Sequence, residues 1–192
     1  MPLIACLGWG SLIWDPGQLP VQRPWFRDGP MAPVEFLRQS RDGRMTAVLH
    51  ASAAKVRTLW AVMDAPDVAV AREALRLREN ISVERATRDI RSWTTGTKPP
   101  ELIDELPQWS AARGLEAVVW TGLGPRFAGR AGNVPTPEQV IAHLAGLVGT
   151  AREHAERYIR QAPRQIDTAY RREIEAALHW TPLDKPADPR DG

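Results

Sequence analysis

The chain has 192 residues, 43% of them hydrophobic and 25% charged, a balance that suits one globular domain with a sizeable core and excludes a disordered or membrane-embedded chain. Its 25 Lys and Arg against 23 Asp and Glu leave a formal net charge of +2, which argues against nucleic acid or an anionic membrane surface as a partner. A single cysteine, Cys6, excludes an intramolecular disulfide framework and a cysteine-rich zinc motif. With no signal-peptide pattern and no apolar run of membrane-spanning length, the expected location is cytoplasmic.

In chain order, residues 3–7 form a short apolar run that stops at Gly8-Trp9-Gly10-Ser11, the pattern of a buried strand giving way to a tight loop. The stretch through Pro16, Gly17, Pro20, Pro24, Gly29, Pro30 and Pro33 carries too much proline for regular structure and predicts a long ordered excursion. Residues 34–38 and 45–49, around Ser40-Arg41-Asp42-Gly43, read as a hairpin, and residues 56–63 as one further buried strand. Asp64-Ala65-Pro66-Asp67 then opens a helix with proline in its first turn, Val68, Ala71 and Leu75 on one face, and Glu79 and Asn80 at its end.

Residues 81–93 alternate too weakly to separate helix from strand, 94–107 reads as a loop, and 115–121 as an apolar strand. Helices are predicted beyond it. Thr136-Pro137-Glu138-Gln139 is a capping box ahead of the stripe Val140, Ile141, Leu144, Leu147 and Val148, closed by Gly149. Thr150 with Glu153 reads as a second capping box, for a helix with Tyr158 and Ile159 facing inward that Pro163 ends. The last helix starts at Asp167 or Thr168 and turns Tyr170, Ile174, Ala177 and Leu178 inward. The expectation is one domain over residues 1–182 with a loose tail at 183–192. Its class is α+β, with a mixed, mostly antiparallel sheet or small barrel and flanking helices. A dinucleotide-binding reading fails, because Gly8-x-Gly10 is followed by Ile13 where the third glycine belongs, and Pro16 and Gly17 prevent an immediate helix.

The chemistry-bearing segment is Gly8-Trp9-Gly10-Ser11-Leu12-Ile13-Trp14. Consecutive backbone N–H groups beside small residues make a concave donor site for a carboxylate or oxyanion, with Trp9 and Trp14 as walls. The same residues also suit a plain turn flanked by core tryptophans. Glu79 sits at the negative end of a helix dipole and next to an apolar strand, and both features raise a carboxyl pKa; Arg76 and Arg78 act in the opposite sense if they are close. A solvated helix-end glutamate is the competing reading. The four histidines, His50, His143, His154 and His179, show no metal-ligand spacing, and Ser11 lacks the glycine two residues on that a nucleophile elbow requires.

Gly-Trp-Gly-Ser-Leu-Ile-Trp resembles the Tyr-Gly-Ser-Leu signature of gamma-glutamylcyclotransferase-like proteins, in particular the ChaC-type branch, with Trp9 in place of the tyrosine. Leu75-Arg76-Leu77-Arg78-Glu79 is similar to the helix end that carries that family's catalytic glutamate, and residues 115–121 to a later strand. After Glu79, Asn80-Ile81-Ser82-Val83 departs from the family's glycines and tyrosine. The resemblance covers roughly the first two thirds of the chain. It implies a lyase- or acyltransferase-type enzyme that closes a gamma-glutamyl amide or amine to 5-oxoproline and releases the amine. Glu79 would be its base, Trp9, Gly10, Ser11, Leu12 and Trp14 its substrate contacts, and no metal or organic cofactor would be needed. Two alternatives remain: a non-catalytic small-molecule-binding or interaction protein on the same fold, and acyl transfer or amide hydrolysis in the same pocket.

Overall fold

A computed structural model describes residues 2–183 of the chain. Strand β1 (Ile4–Gly8) is its centre: all five residues are buried, and each large apolar side chain removed from water contributes about 1.5–3 kcal/mol. One side of β1 pairs antiparallel with β5 (Leu59–Met63) and the other pairs parallel with β7 (Ala117–Thr121). β6 (Ile90–Thr94) adds antiparallel to β7, giving the order β5-β1-β7-β6. In the second sheet β2 (Met31–Gln39) pairs antiparallel with β3 (Met45–Leu49) and with β4 (Lys55–Arg57), and parallel with the two-residue β8 (Arg126–Phe127). β8 turns back into β9 (Arg130–Ala131). The class is α+β with mixed sheets.

The predicted single strand over 56–63 is two strands serving two sheets. Thr58, fully buried between them, donates through its N–H and Oγ1 to the Pro30 carbonyl, and the chain changes sheets at that point. A Cβ on Gly29 would come within 2.5 Å of the Thr58 oxygens, which explains the glycine there. The proline-rich excursion is ordered as expected and lies along the outer edge of β5, with Gln22 and Phe26 amides donating to Val62 and Trp60 carbonyls. It thereby covers an edge that would otherwise be open. Its end was misplaced, because Met31, Ala32 and Pro33 already belong to β2, where Pro33 needs no N–H to accept from His50.

Helix α1 (Val68–Arg78) is capped by the Asp67 side chain, which accepts from the Val70 amide, so Pro66 precedes the helix and does not occupy its first turn. Residues 81–93 resolve into α2 (Val83–Asp89) and β6. The expected loop over 94–107 runs into a short helix, α3 (Leu106–Ala111), started by Pro107 in its first turn. α4 (Pro137–Gly146) has the capping box that Thr136 and Gln139 predict. Gly149 does not close it: with φ at 54° it opens α5 (Gly149–Gln161), whose N-cap is Val148, and the Thr150–Glu153 box does not form. α6 (Ala169–Leu178) is capped by Thr168, and Ala177 on it is exposed.

The buried residue on α6 that periodicity missed is Arg171, 1% exposed. Its guanidinium donates to the carbonyls of Ile159, Ala162, Pro163 and Ile166, and its Nε to Glu175 2.9 Å away. It satisfies the acceptors that α5 leaves at its broken end. Glu35 does the reverse at the start of α6, accepting from Thr168 Oγ1 and the Tyr170 amide. Of the tail at 183–192, only Leu183 lies among the described residues. No helix is long and apolar enough to cross a membrane.

Candidate functional site

Parallel pairing of β1 with β7 brings the loops that follow both strands to one end of the first sheet. Loop 9–12 follows β1; Thr121 and Leu123 stand at and beyond the end of β7. α1 packs against β7 and β6 and delivers its C-terminus to the same place. The helix stops there by a Schellman motif: Ile81 N donates to Arg76 O and Asn80 N to Leu77 O, each at 3.1 Å, with Asn80 in the left-handed region at φ 50°. That stop fixes the direction of Glu79, the C-cap residue.

A cavity of about 60 Å³ results, lined by Gly8, Trp9, Gly10, Ser11, Leu12, Glu79, Thr121 and Tyr158 among others. The sequence-predicted Trp9, Gly10, Ser11, Leu12 and Glu79 therefore meet in one pocket. Trp14 does not join them: it lines the larger outer groove, about 640 Å³, and meets Tyr158 edge-on at 5.4 Å between ring centroids. Ser11 lines both spaces, so the groove adjoins the inner pocket at that residue.

In the loop, Ile13 N donates to Gly10 O and Asp15 N to Ser11 O, whereas the amides of Gly10, Ser11 and Leu12 donate to no protein group among the described residues. These are the donors a bound carboxylate or oxyanion would use. Trp9 is 6% exposed and its indole N–H is already committed to Ala47 O at 3.2 Å, which ties the loop to β3.

The Glu79 side chain is 16% exposed, which removes the solvated-helix-end reading. Burial pushes its carboxyl above the usual range, and the Arg78 guanidinium, 2.9 Å from Oε1, offsets only part of that. Arg78 also donates to Ser11 Oγ at 3.1 Å and to the Asp15 carbonyl, so one side chain staples the helix end to the loop. Arg76 plays no part here: it pairs with Glu73 and caps Ile81 O.

Sequence reasoning placed Tyr158 on the inner face of a helix but did not assign it to the site. Its hydroxyl lies so near the loop that a Cβ on Gly10 would sit 2.5 Å from it. Burial, with Glu79 as a lesser cause, pushes the phenol up to about 12, so it is neutral and able to donate. Thr121 carried no local signal at all. Its Oγ1 is buried without a hydrogen-bond partner among the described residues, on a residue that lines the pocket. Cys6 lies beneath, its thiol pushed up by burial and then by Glu79, and is no nucleophile. Among the described residues no group of three or more His, Cys, Asp or Glu could hold a metal ion.

Compared with protein-family models and with curated proteins, the sequence matches none.

Proposed function

We propose that the protein is a gamma-glutamylcyclotransferase-like enzyme, on the family's small-barrel variant of the α+β fold. It would act on a gamma-glutamyl amide or amine. The observation that carries the reading is the meeting, around one pocket, of a largely buried carboxyl with raised pKa and three loop amides that donate to no protein group among the described residues. The resemblance of Gly8–Trp14 and of the α1 end to that family gives the pair its roles.

In the proposed reaction the alpha-ammonium of the substrate gives a proton to Glu79. The freed amine attacks the gamma-carbonyl carbon of the same molecule, forming the five-membered ring. The proton returns to the leaving nitrogen as the amide C–N bond breaks, and the ring nitrogen, which carries two hydrogens after the attack, passes its surplus proton through the same carboxylate to the amine, so 5-oxoproline and the amine as its ammonium ion are the products and no water is consumed. The upward shift of the Glu79 carboxyl favours its taking and returning a proton, and such a general acid/base role is worth about 10²–10⁴ in rate. The amides of Gly10, Ser11 and Leu12 hold the substrate carboxylate or the oxyanion on the carbonyl, with Tyr158 and Thr121 as further polar partners. Holding the glutamyl chain folded supplies the proximity, since nucleophile and electrophile share one molecule. The inner pocket is small, about 60 Å³, so the glutamyl head would sit there and the amine partner would lie toward the larger groove that adjoins it at Ser11.

Product identity tests this. Wild-type protein is incubated with glutathione, gamma-glutamyl amino acids and gamma-glutamyl amines, and 5-oxoproline and glutamate are quantified. Release of 5-oxoproline is expected. Glutamate instead would mean amide hydrolysis, and saturable binding without either product would mean a binding protein.

A further inference from the structure

A second cleft, about 510 Å³, is lined by Arg38, Arg85, Arg88, Arg126 and a single carboxylate, Asp89; Gly122, Gly124, Gly129 and Gly132 form much of its remaining wall. Arg38 and Arg126 are register partners across the parallel β2–β8 pair, one strand spacing apart. Like charges at such positions are destabilising unless something compensates them.

The protein supplies little compensation. Asp89 is the nearest acid, but it is already shared by Arg85 at 2.5 Å and Arg88 at 2.8 Å. Among the described residues neither Arg38 nor Arg126 has a carboxylate within ion-pair distance; Arg38 donates one hydrogen bond, to Gly124 O at 2.9 Å, and Arg126 none through its side chain. Both side chains are half-buried rather than spread into solvent, and the Arg38 guanidinium is held below its usual range by burial and then by the charges of Arg126, Arg85 and Arg88.

We propose that this cleft binds a small molecule carrying a group of clustered anionic oxygens, a phosphate or a set of neighbouring carboxylates, with Arg38 and Arg126 as its direct partners. Two guanidiniums a strand apart match such a group, because each offers a planar fork to two oxygens. The glycine walls leave room for the anion to approach the strands. The net charge of the whole chain, only +2, favours a small ligand over a nucleic acid. Leu123 lines both this cleft and the Glu79 pocket, but the proposal does not rest on the cyclotransferase reading.

Thermal unfolding is followed in sodium phosphate, in sodium citrate and in sodium chloride at matched ionic strength, for wild type, Arg126→Gln, Arg126→Lys and Glu79→Gln. The proposal expects a saturable rise in Tm for wild type and Glu79→Gln in phosphate, in citrate or in both, the responding anion naming the ligand class. Apparent affinity should weaken at least tenfold in Arg126→Gln and less in Arg126→Lys. No saturable rise with either anion would overturn it, as would an equal rise in wild type and Arg126→Gln, the mark of a general salt effect. Competition by single-stranded RNA at lower concentration than either small anion would also overturn it, in favour of a nucleic-acid surface.

Discussion

Glu79 shows how burial and pairing compete on one side chain. Desolvation is the larger influence and Arg78 the smaller, so the folded carboxyl titrates above the ordinary value of about 4.3. The folded state then binds the proton more tightly than the unfolded chain. This group accordingly favours folding below its unfolded pKa, and the contribution is lost as pH rises through the folded one. Glu79→Gln removes that loss. Its Tm is expected to exceed that of wild type at about pH 8 and to converge with it below about pH 4; a gap of the same size at both pH values would contradict the assignment. Gly10 is a second test at this scale. Gly10→Ala sets a methyl 2.5 Å from the Tyr158 hydroxyl but 3.6 Å from the ring carbon that bears it. The substitution should cost about 1–3 kcal/mol as overpacking. Removing the oxygen in Gly10→Ala/Tyr158→Phe should restore most of the stability, as measured by denaturant unfolding. No recovery in the double variant would place the strain elsewhere.

Among the elements, the end of α1 matters most, because its stop signal aims the candidate base. Asn80 takes the left-handed position of the Schellman motif, where glycine is equally at ease and alanine is not. Asn80→Gly should leave stability within about 0.5 kcal/mol of wild type, whereas Asn80→Ala should lose about 1 kcal/mol and lower activity by displacing Glu79. Equal stability and activity for the two variants would show that the turn does not position the carboxylate. The stop itself was legible, since Glu79 and Asn80 follow a clear apolar stripe, and so was the loop after β1, announced by glycines after an apolar run. Local signals of that kind sit within one turn or one strand. What escaped were features set at a distance. The 56–63 run splits because buried Thr58 bonds to Pro30, nearly thirty residues earlier, and no local pattern encodes that. α3 is only six residues long, too short for a stripe to register. The expected cap at Thr150 does not form because α5 starts earlier, at Gly149, with Val148 as its N-cap.

At the scale of the molecule, the site is a product of topology. Parallel β1 and β7, separated by more than a hundred residues, set Thr121 beside the Gly10 loop, and α5 returns near the end of the chain to lay Tyr158 over it. Arg171 holds that return in place by satisfying four carbonyls at and beyond the broken end of α5. The half of the site drawn from loop 9–12 and Glu79 could therefore be read from sequence, and the half drawn from β7 and α5 could not. Trp14 lines the outer groove and not the pocket that holds Glu79, a division that nearness in sequence could not foretell. In the proposed function Glu79 acts as base within this assembled pocket. The direct measurement is steady-state 5-oxoproline release by wild type and by Glu79→Gln, on whichever gamma-glutamyl compound wild type turns over fastest. The expected result is a kcat lower by about 10²–10⁴ in the variant with KM nearly unchanged; a folded Glu79→Gln protein that keeps kcat within about tenfold of wild type would rule out Glu79 as the base.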